Sequence, residues 1–364
     1  VVNDPEIDVV LELMGGVETA TDLVLQALAN GKQVVTANKA MIAQEGRRIF
    51  EAAQAADRDV LFEAAVGGGM PVIRSLREGL AGDHIQSLHA IINGTSNYIL
   101  SAMSSDGLPY EEALEGAQQR GYAEADPTMD VEGTDAAQKL SILMAIAFGV
   151  DARATSIPTR GIDAIGHLDV AYARGFGCVV KPLAVAQWTD RGLEAHVGPC
   201  LVPEGATLAK VSGALNAVRI QGEAVGPLLI EGAGAGSFPT ASAVMGDLVD
   251  AGRNRLLGCQ GKLPPPPLGT GIPWKAPERR GRFYARFAVE DAPGVLGSLA
   301  AGLGREGVSI AQVVQDLPDG AAHVQVALLT HETSETGLNK AIGNLAGESW
   351  VLEPPMVMGL EDRL

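Results

Sequence analysis

Residues 8–39, DVVLELMGGVETATDLVLQALANGKQVVTANK, decide the fold. DVVLELMGG is a short apolar run stopped by two glycines, the pattern of a strand buried on both faces of a parallel sheet. In TATDLVLQALANG, Val24, Ala27 and Leu28 share one helical face and Gly31 supplies the stop. KQVVTANK is the next strand. Working outward, AMIAQEGRRIFEAAQAA predicts a second helix and DVLFEAAV a third strand. Strands joined by helices imply right-handed crossovers and a doubly wound parallel sheet, an α/β fold of Rossmann type. Ligands of such sheets sit beyond the carboxyl ends of the strands. Here those ends are Gly15 and Gly16, the TANK segment, and AAVGGGMP.

The whole chain of 364 residues is enough for two or three domains. A formal net charge of −17 argues against nucleic acid or an anionic membrane surface as a partner. No run of about twenty uncharged apolar residues is present, so no membrane span is expected. Cys178, Cys200 and Cys259 are scattered and read as reduced thiols of a cytoplasmic protein. The six histidines form no paired motif that would support a zinc site.

Beyond residue 72 the pattern is mixed. IQSLHAIINGTSNYIL reads as a strand, a tight turn at Asn93 and Gly94, and a helix start. CVVKPLAVAQWT and AVRIQGEAVG read as short strands; Pro182 within the first marks it as an edge strand or a strand end. GAGAGSFPTASAVMGDLVDAGR is a glycine loop opening a helix, which serves either an anion or close backbone packing. Residues 254–281, with four consecutive prolines, read as a linker, partly polyproline II. The final 80 or so residues spell β-α-β-β-α-β with Asp319-Gly320 as a hairpin turn, a separate ferredoxin-like domain.

Chemistry concentrates in GYAEADPTMDVEGTDAAQKL, residues 121–140. Glu124, Asp126, Asp130, Glu132 and Asp135 precede a single cation, Lys139. Most charge runs are solvated faces. Yet Asp135 and Lys139 are four apart on an Ala- and Leu-rich helix that Thr134 or Asp135 can cap and Gly149 ends, so they share one face. A lysine at the mouth of a buried helix, ringed by acids, is a candidate acid/base or a binding group for an ammonium substrate.

ELMGG, GKQVVTANK, FEAAVGGGMP, INGTSNYIL, GYAEADPTMDVEGTDAAQK and GAGAGSFPTASAVMGD occur in that order, and together they resemble the homoserine dehydrogenase family. The tail, with DAPGVLGSLA as its first βα turn, resembles an ACT domain. The resemblance implies interconversion of L-homoserine and L-aspartate 4-semialdehyde with NADP or NAD, within threonine, methionine and isoleucine biosynthesis. It implies Lys139 as general acid/base, Asp135 and Glu124 on the substrate ammonium, Asp130 in the same pocket, and Lys39 on the opposite wall. Thr36, Lys39, Gly121 and Gly236 would contact the cofactor. Glu63, Val66, Gly68 and Met70 would supply oxygens to a monovalent cation, Na+.

Neighbouring carboxylates favour a charged lysine, while burial and a second cation oppose that, so two lysines acting in one pocket are expected. Asp126 and Glu132 read as solvated or capping charges. The expected divisions are 1–72 nucleotide binding, 73–223 substrate binding and dimerisation, 224–253 a helix returning to the first part, 254–281 linker and 282–364 ACT domain. A homodimer or homotetramer with L-threonine as effector follows from the same resemblance. The family's GxGxxG turn is absent, so the nucleotide-binding part is expected to be truncated, with an exposed sheet edge. The rival reading is an impaired fragment, or an amino-acid-sensing scaffold acting through the ACT domain.

Overall fold

The computed structural model describes residues 1–259, 266, 268, 271–317 and 322–364. Its first unit runs β1 (Val9–Glu12), α1 (Glu18–Ala29), β2 (Gln33–Thr36), α2 (Lys39–Ala56) and β3 (Val60–Leu61), closing with the short α3 (Val72–Arg74). The three strands are parallel in the order β1-β2-β3. Side chains alternate across a strand. Val10, Val34 and Val60 accordingly pack into the core that holds α1 and α2, while Val9, Val35 and Leu61 face the other way.

The middle continues with β4 (Ile85–Ile91), α4 (Gly94–Asp106), α5 (Tyr110–Gln119), α6 (Thr128–Val131), α7 (Thr134–Phe148), β5 (Val150–Asp151) and α8 (His167–Gly175). Four antiparallel strands follow or join it: β6 (Cys178–Thr189), β7 (Gly192–Pro203), β8 (Leu215–Gly222) and β9 (Gly226–Ala233). Next comes α9 (Ser237–Leu257), which returns to the first unit and lays Val244 and Ala251 against Val35. Both faces of the parallel sheet are thereby covered.

After β10 (Ile272–Pro273), which pairs with β5, the chain ends as β11 (Arg280–Val289), α10 (Val295–Arg305), β12 (Ile310–Asp316), β13 (Val324–Thr330), the two-residue β14 (Thr333–Ser334), α11 (Glu335–Ala346) and β15 (Met356–Leu360). The four main strands lie in the order β12-β13-β11-β15, antiparallel throughout. This is the β-α-β-β-α-β order expected from the sequence. The Asp319-Gly320 turn lies outside the described residues, as does most of the proline run.

Several expectations need correction. The C-terminal unit is not separate, because β15 pairs in parallel with β7 at Gly359↔Cys200 and Leu360↔Leu201 and its sheet continues into β7-β6-β4-β8-β9. Residues 224–253 are not one helix; the first part is β9, an edge strand on β8. The linker expected from residue 254 begins later, since α9 runs to Leu257, and β10 and the Trp274 indole, which donates to the Leu193 carbonyl at 2.8 Å, pin its far end. Pro182 sits in β6, an internal strand. It faces Pro199, a pairing that can only be non-hydrogen-bonded, and the β4 ladder has ended by Ala184, so no donor is missed there.

Asn93 and Gly94 form no separate tight turn but the start of α4 itself. Asn93 is the N-cap of α4, its side-chain oxygen accepting from the Ser96 amide at 2.8 Å. Neither Thr134 nor Asp135 caps α7. The cap is Gly133 at φ 85°, a conformation an L side chain rarely adopts, which leaves the Asp135 carboxylate free for longer-range contacts.

Candidate active site

Four elements bring the site together. α7 presents Asp135 in its first turn and Lys139 one turn on; the end of β4 leads into Ile92 and the Asn93 cap; α6 carries Asp130; and Lys39 opens α2 beyond the carboxyl end of β2. The TANK segment is fixed by its own residues. Asn38 caps α2 by accepting from the Met41 amide at 3.1 Å and donates to the Gly16 carbonyl at 2.7 Å, tying the ends of β1 and β2 together.

Asp135 is the hub. Its Oδ2 accepts from Lys139 Nζ at 2.7 Å and from Asn93 Nδ2 at 2.9 Å, and its Oδ1 lies 3.2 Å from Lys39 Nζ. Burial works against its charge, but Lys139, Lys39 and the bonds from Lys139 and Asn93 outweigh it and hold the carboxyl below its ordinary value. Lys139 Nζ also donates to the Ile92 carbonyl at 2.8 Å. Two of the three ammonium donors are thus occupied, and the side chain keeps 12% exposure, which leaves one position for a ligand. Asn93 Nδ2 bridges to Asp130 Oδ1 at 2.7 Å, and Thr95 Oγ1 lies 3.1 Å from Asp130 Oδ2.

The remaining residues read from the sequence divide. Glu124 lies exposed in the segment between α5 and α6, with no ion pair to its carboxylate among the described residues. Asp126 lies exposed just before α6, its Oδ1 accepting from the Thr128 amide at 3.1 Å and the Thr128 hydroxyl at 2.6 Å. Thr36 is fully buried and its hydroxyl donates to Glu12 Oε2 at 2.6 Å, so only its main chain is left for a ligand. Gly121 follows α5, and Gly236 stands at the N-terminus of α9, whose first amides have no helical partners.

The Glu63 carboxylate is taken by the Ile73 and Arg74 amides, each at 2.8 Å, and burial pushes its carboxyl up to about 7. Its main-chain oxygen alone is left for a cation. The loop carrying Val66, Gly68 and Met70 packs on the glycine-rich segment before α9, where the Gly69 amide donates to the Ala233 carbonyl at 3.2 Å. Sequence reasoning missed Asn93, Thr95 and the Ile92 carbonyl. Asn-Gly between a strand and a helix was the only signal for the first, and it fits a turn equally well.

Lysine and carboxylates therefore meet at the carboxyl ends of a nucleotide-type sheet, an arrangement suited to moving a proton at an alcohol while an anionic cofactor lies over the strand ends. Residues 71–249 match the homoserine dehydrogenase family model and residues 1–63 the homoserine dehydrogenase NAD binding domain. Homoserine dehydrogenase of Pseudomonas aeruginosa is 44% identical over 366 residues, spanning 98% of this chain and 84% of its own length. That of Mycobacterium leprae is 43% identical over 376 residues, spanning 99% and 83%. The crystal structure of a homoserine dehydrogenase from Thiobacillus denitrificans matches with a TM-score of 0.91 at 45% identity, covering 100% of this chain and 84% of its own. A hyperthermophilic archaeal homoserine dehydrogenase mutant in complex with NADPH matches with a TM-score of 0.58 at 27% identity, covering 68% and 72%. The chain belongs to the homoserine dehydrogenase family and is an NAD(P)-dependent oxidoreductase.

Proposed function

We propose that Lys139 is the general acid/base of L-homoserine oxidation to L-aspartate 4-semialdehyde. The observation that carries this is its third donor position, open to the site while Asp135 and the Ile92 carbonyl fix the other two. As a neutral amine, Lys139 accepts the proton of the substrate hydroxyl while the C–H bond of the same carbon breaks; in the reverse direction it returns that proton. NAD(P)+, when bound, supplies the hydride acceptor. Asp135 positions both lysines and keeps one acceptor site for the substrate ammonium. Glu124 and Asp130 complete the ammonium pocket, and Lys39 lines the wall between substrate and nicotinamide.

The cofactor lies across the strand ends, against the main chain of Thr36, Lys39, Gly121 and Gly236, and the α9 N-terminus favours its negative charge. NADP is favoured by the NADPH of the archaeal relative. Carbonyls of Glu63, Val66, Gly68 and Met70 hold Na+, a hard cation suited to oxygen ligands. The β-α-β-β-α-β unit serves as an ACT domain that takes L-threonine near Gly294, and the chain works as a homodimer or homotetramer in the cytoplasm. No described helix is long and apolar enough to cross a membrane.

Steady-state kinetics of Lys139→Ala test the central assignment. Loss of a general acid/base predicts a kcat about 100-fold lower or worse, with KM changed far less. A fall in kcat of less than about tenfold removes Lys139 from the chemistry.

A further inference from the structure

Away from that site, a second polar cluster is sealed where the C-terminal unit joins the central sheet. His196 and Cys200 stand four apart on β7, Glu361 follows β15, and all three are buried. Their donor atoms lie within 4.8 Å of one another. His196 Nε2 is 3.3 Å from Glu361 Oε1 and 3.7 Å from Cys200 Sγ. On β4, His89 is 1% exposed, and neither of its ring nitrogens has a hydrogen-bond partner among the described residues. Its Nε2 points to Glu361 Oε2 from 3.9 Å, too far for a hydrogen bond.

An orphaned, fully buried imidazole costs about 1–3 kcal/mol, so its retention beside three other ligand types calls for a partner. We propose that His89, His196, Cys200 and Glu361 are a tetrahedral zinc site that staples the last strand of the chain to the catalytic sheet. Ordinary zinc bond lengths at tetrahedral angles separate nitrogen from oxygen by ~3.4 Å and sulfur from nitrogen by ~3.6 Å. His196 stands near those spacings from Glu361 and Cys200, whereas His89, 3.9 Å from Glu361 Oε2 and outside the 4.8 Å set, has to move inward to become the fourth ligand. Two imidazoles, a thiolate and a carboxylate form a borderline donor set that suits Zn2+ and not Mg2+ or Ca2+.

Arg279 donates to Glu361 Oε1 at 2.9 Å and lies 3.9 Å from Glu335, so the ligating carboxylate is itself oriented by a hydrogen bond. Zinc binding releases the Cys200 proton to solvent. The dication, the arginine, the thiolate and the two glutamates then sum to zero charge. The site also bears on catalysis by position, because His89 lies three residues before Ile92 on the strand that leads to Lys139.

Metal analysis of the full chain, grown with zinc and dialysed, tests the proposal, followed by Co2+ titration of the metal-free protein. Stoichiometric zinc, a raised Tm, and a tetrahedral cobalt spectrum with a thiolate charge-transfer band are expected. Cys200→Ser should abolish that band, and His89→Gln should weaken Zn2+ binding by about tenfold or more. Dialysed protein without zinc, whose Tm neither Zn2+ nor Co2+ raises, overturns the site without recourse to any variant. An unchanged cobalt spectrum in Cys200→Ser overturns it equally.

Discussion

Asp135 accepts from three protein donors with one buried carboxylate, and its loss would leave two lysines facing each other without compensation. Asp135→Asn is expected to cost about 2–3 kcal/mol at pH 7, somewhat below the figure for a fully buried pair because Lys39 is a third exposed. The sign of its pH dependence follows from the lowered carboxyl. Its contribution is fully present above the unfolded value of 3.8 and disappears as pH falls through the lower folded value. Urea unfolding of both proteins between pH 7 and pH 3 should show their difference closing only at the acid end; a constant gap would contradict the ion-pair account. At this scale the Asp135–Lys139 pair was legible, because four-residue spacing on a helix is a local property. Asn93 was not. Its grip on Asp130 and Asp135 spans 37 and 42 residues, and a strand-to-helix Asn-Gly carries no trace of that reach.

The loops at the carboxyl ends of the strands depend on close backbone approach. At Gly68, φ is +58° and an added Cβ would stand 2.5 Å from the Gly234 carbonyl oxygen, which belongs to the backbone and cannot swing aside. Gly68→Ala should therefore lower stability by about 2 kcal/mol or more, combining backbone strain with overpacking. Thermal unfolding checks this; an unchanged Tm would mean that the two loops are free to part. Elements with a clean period, such as β1, α1 and β2, could be read from the chain. The twelve residues of β7 could not. Gly198-Pro199 looks like a turn, and Glu194 and His196 break the apolar run, although their side chains are buried in the assembled sheet. Glu194 is matched by Arg191 three residues before it, but the polarity of His196 is explained only by Glu361, far away in sequence.

Across the whole molecule, one sheet runs from the C-terminal β-α-β-β-α-β unit into the strands that support Lys139. The strand and helix periods announced both parts, whereas the two-residue parallel seam between β7 and β15 leaves no mark in either segment. If the C-terminal unit takes L-threonine as proposed, saturating threonine should raise Tm by a few degrees, since a ligand at 100 times its Kd adds about 2.7 kcal/mol. An unmoved Tm in millimolar threonine would remove it as the effector. The central claim, that lysine and carboxylates are arranged around an amino alcohol, is tested most directly by initial rates of NAD(P)H formation. L-homoserine should be compared with 4-hydroxybutanoate, which keeps the carboxylate and hydroxyl but lacks the ammonium. The account predicts oxidation of L-homoserine, with kcat/KM for the analogue lower by about 1,000-fold or more, because the acceptor position that Asp135 keeps for the ammonium is then left unfilled. Equal rates for the two compounds, or none with L-homoserine, would contradict it.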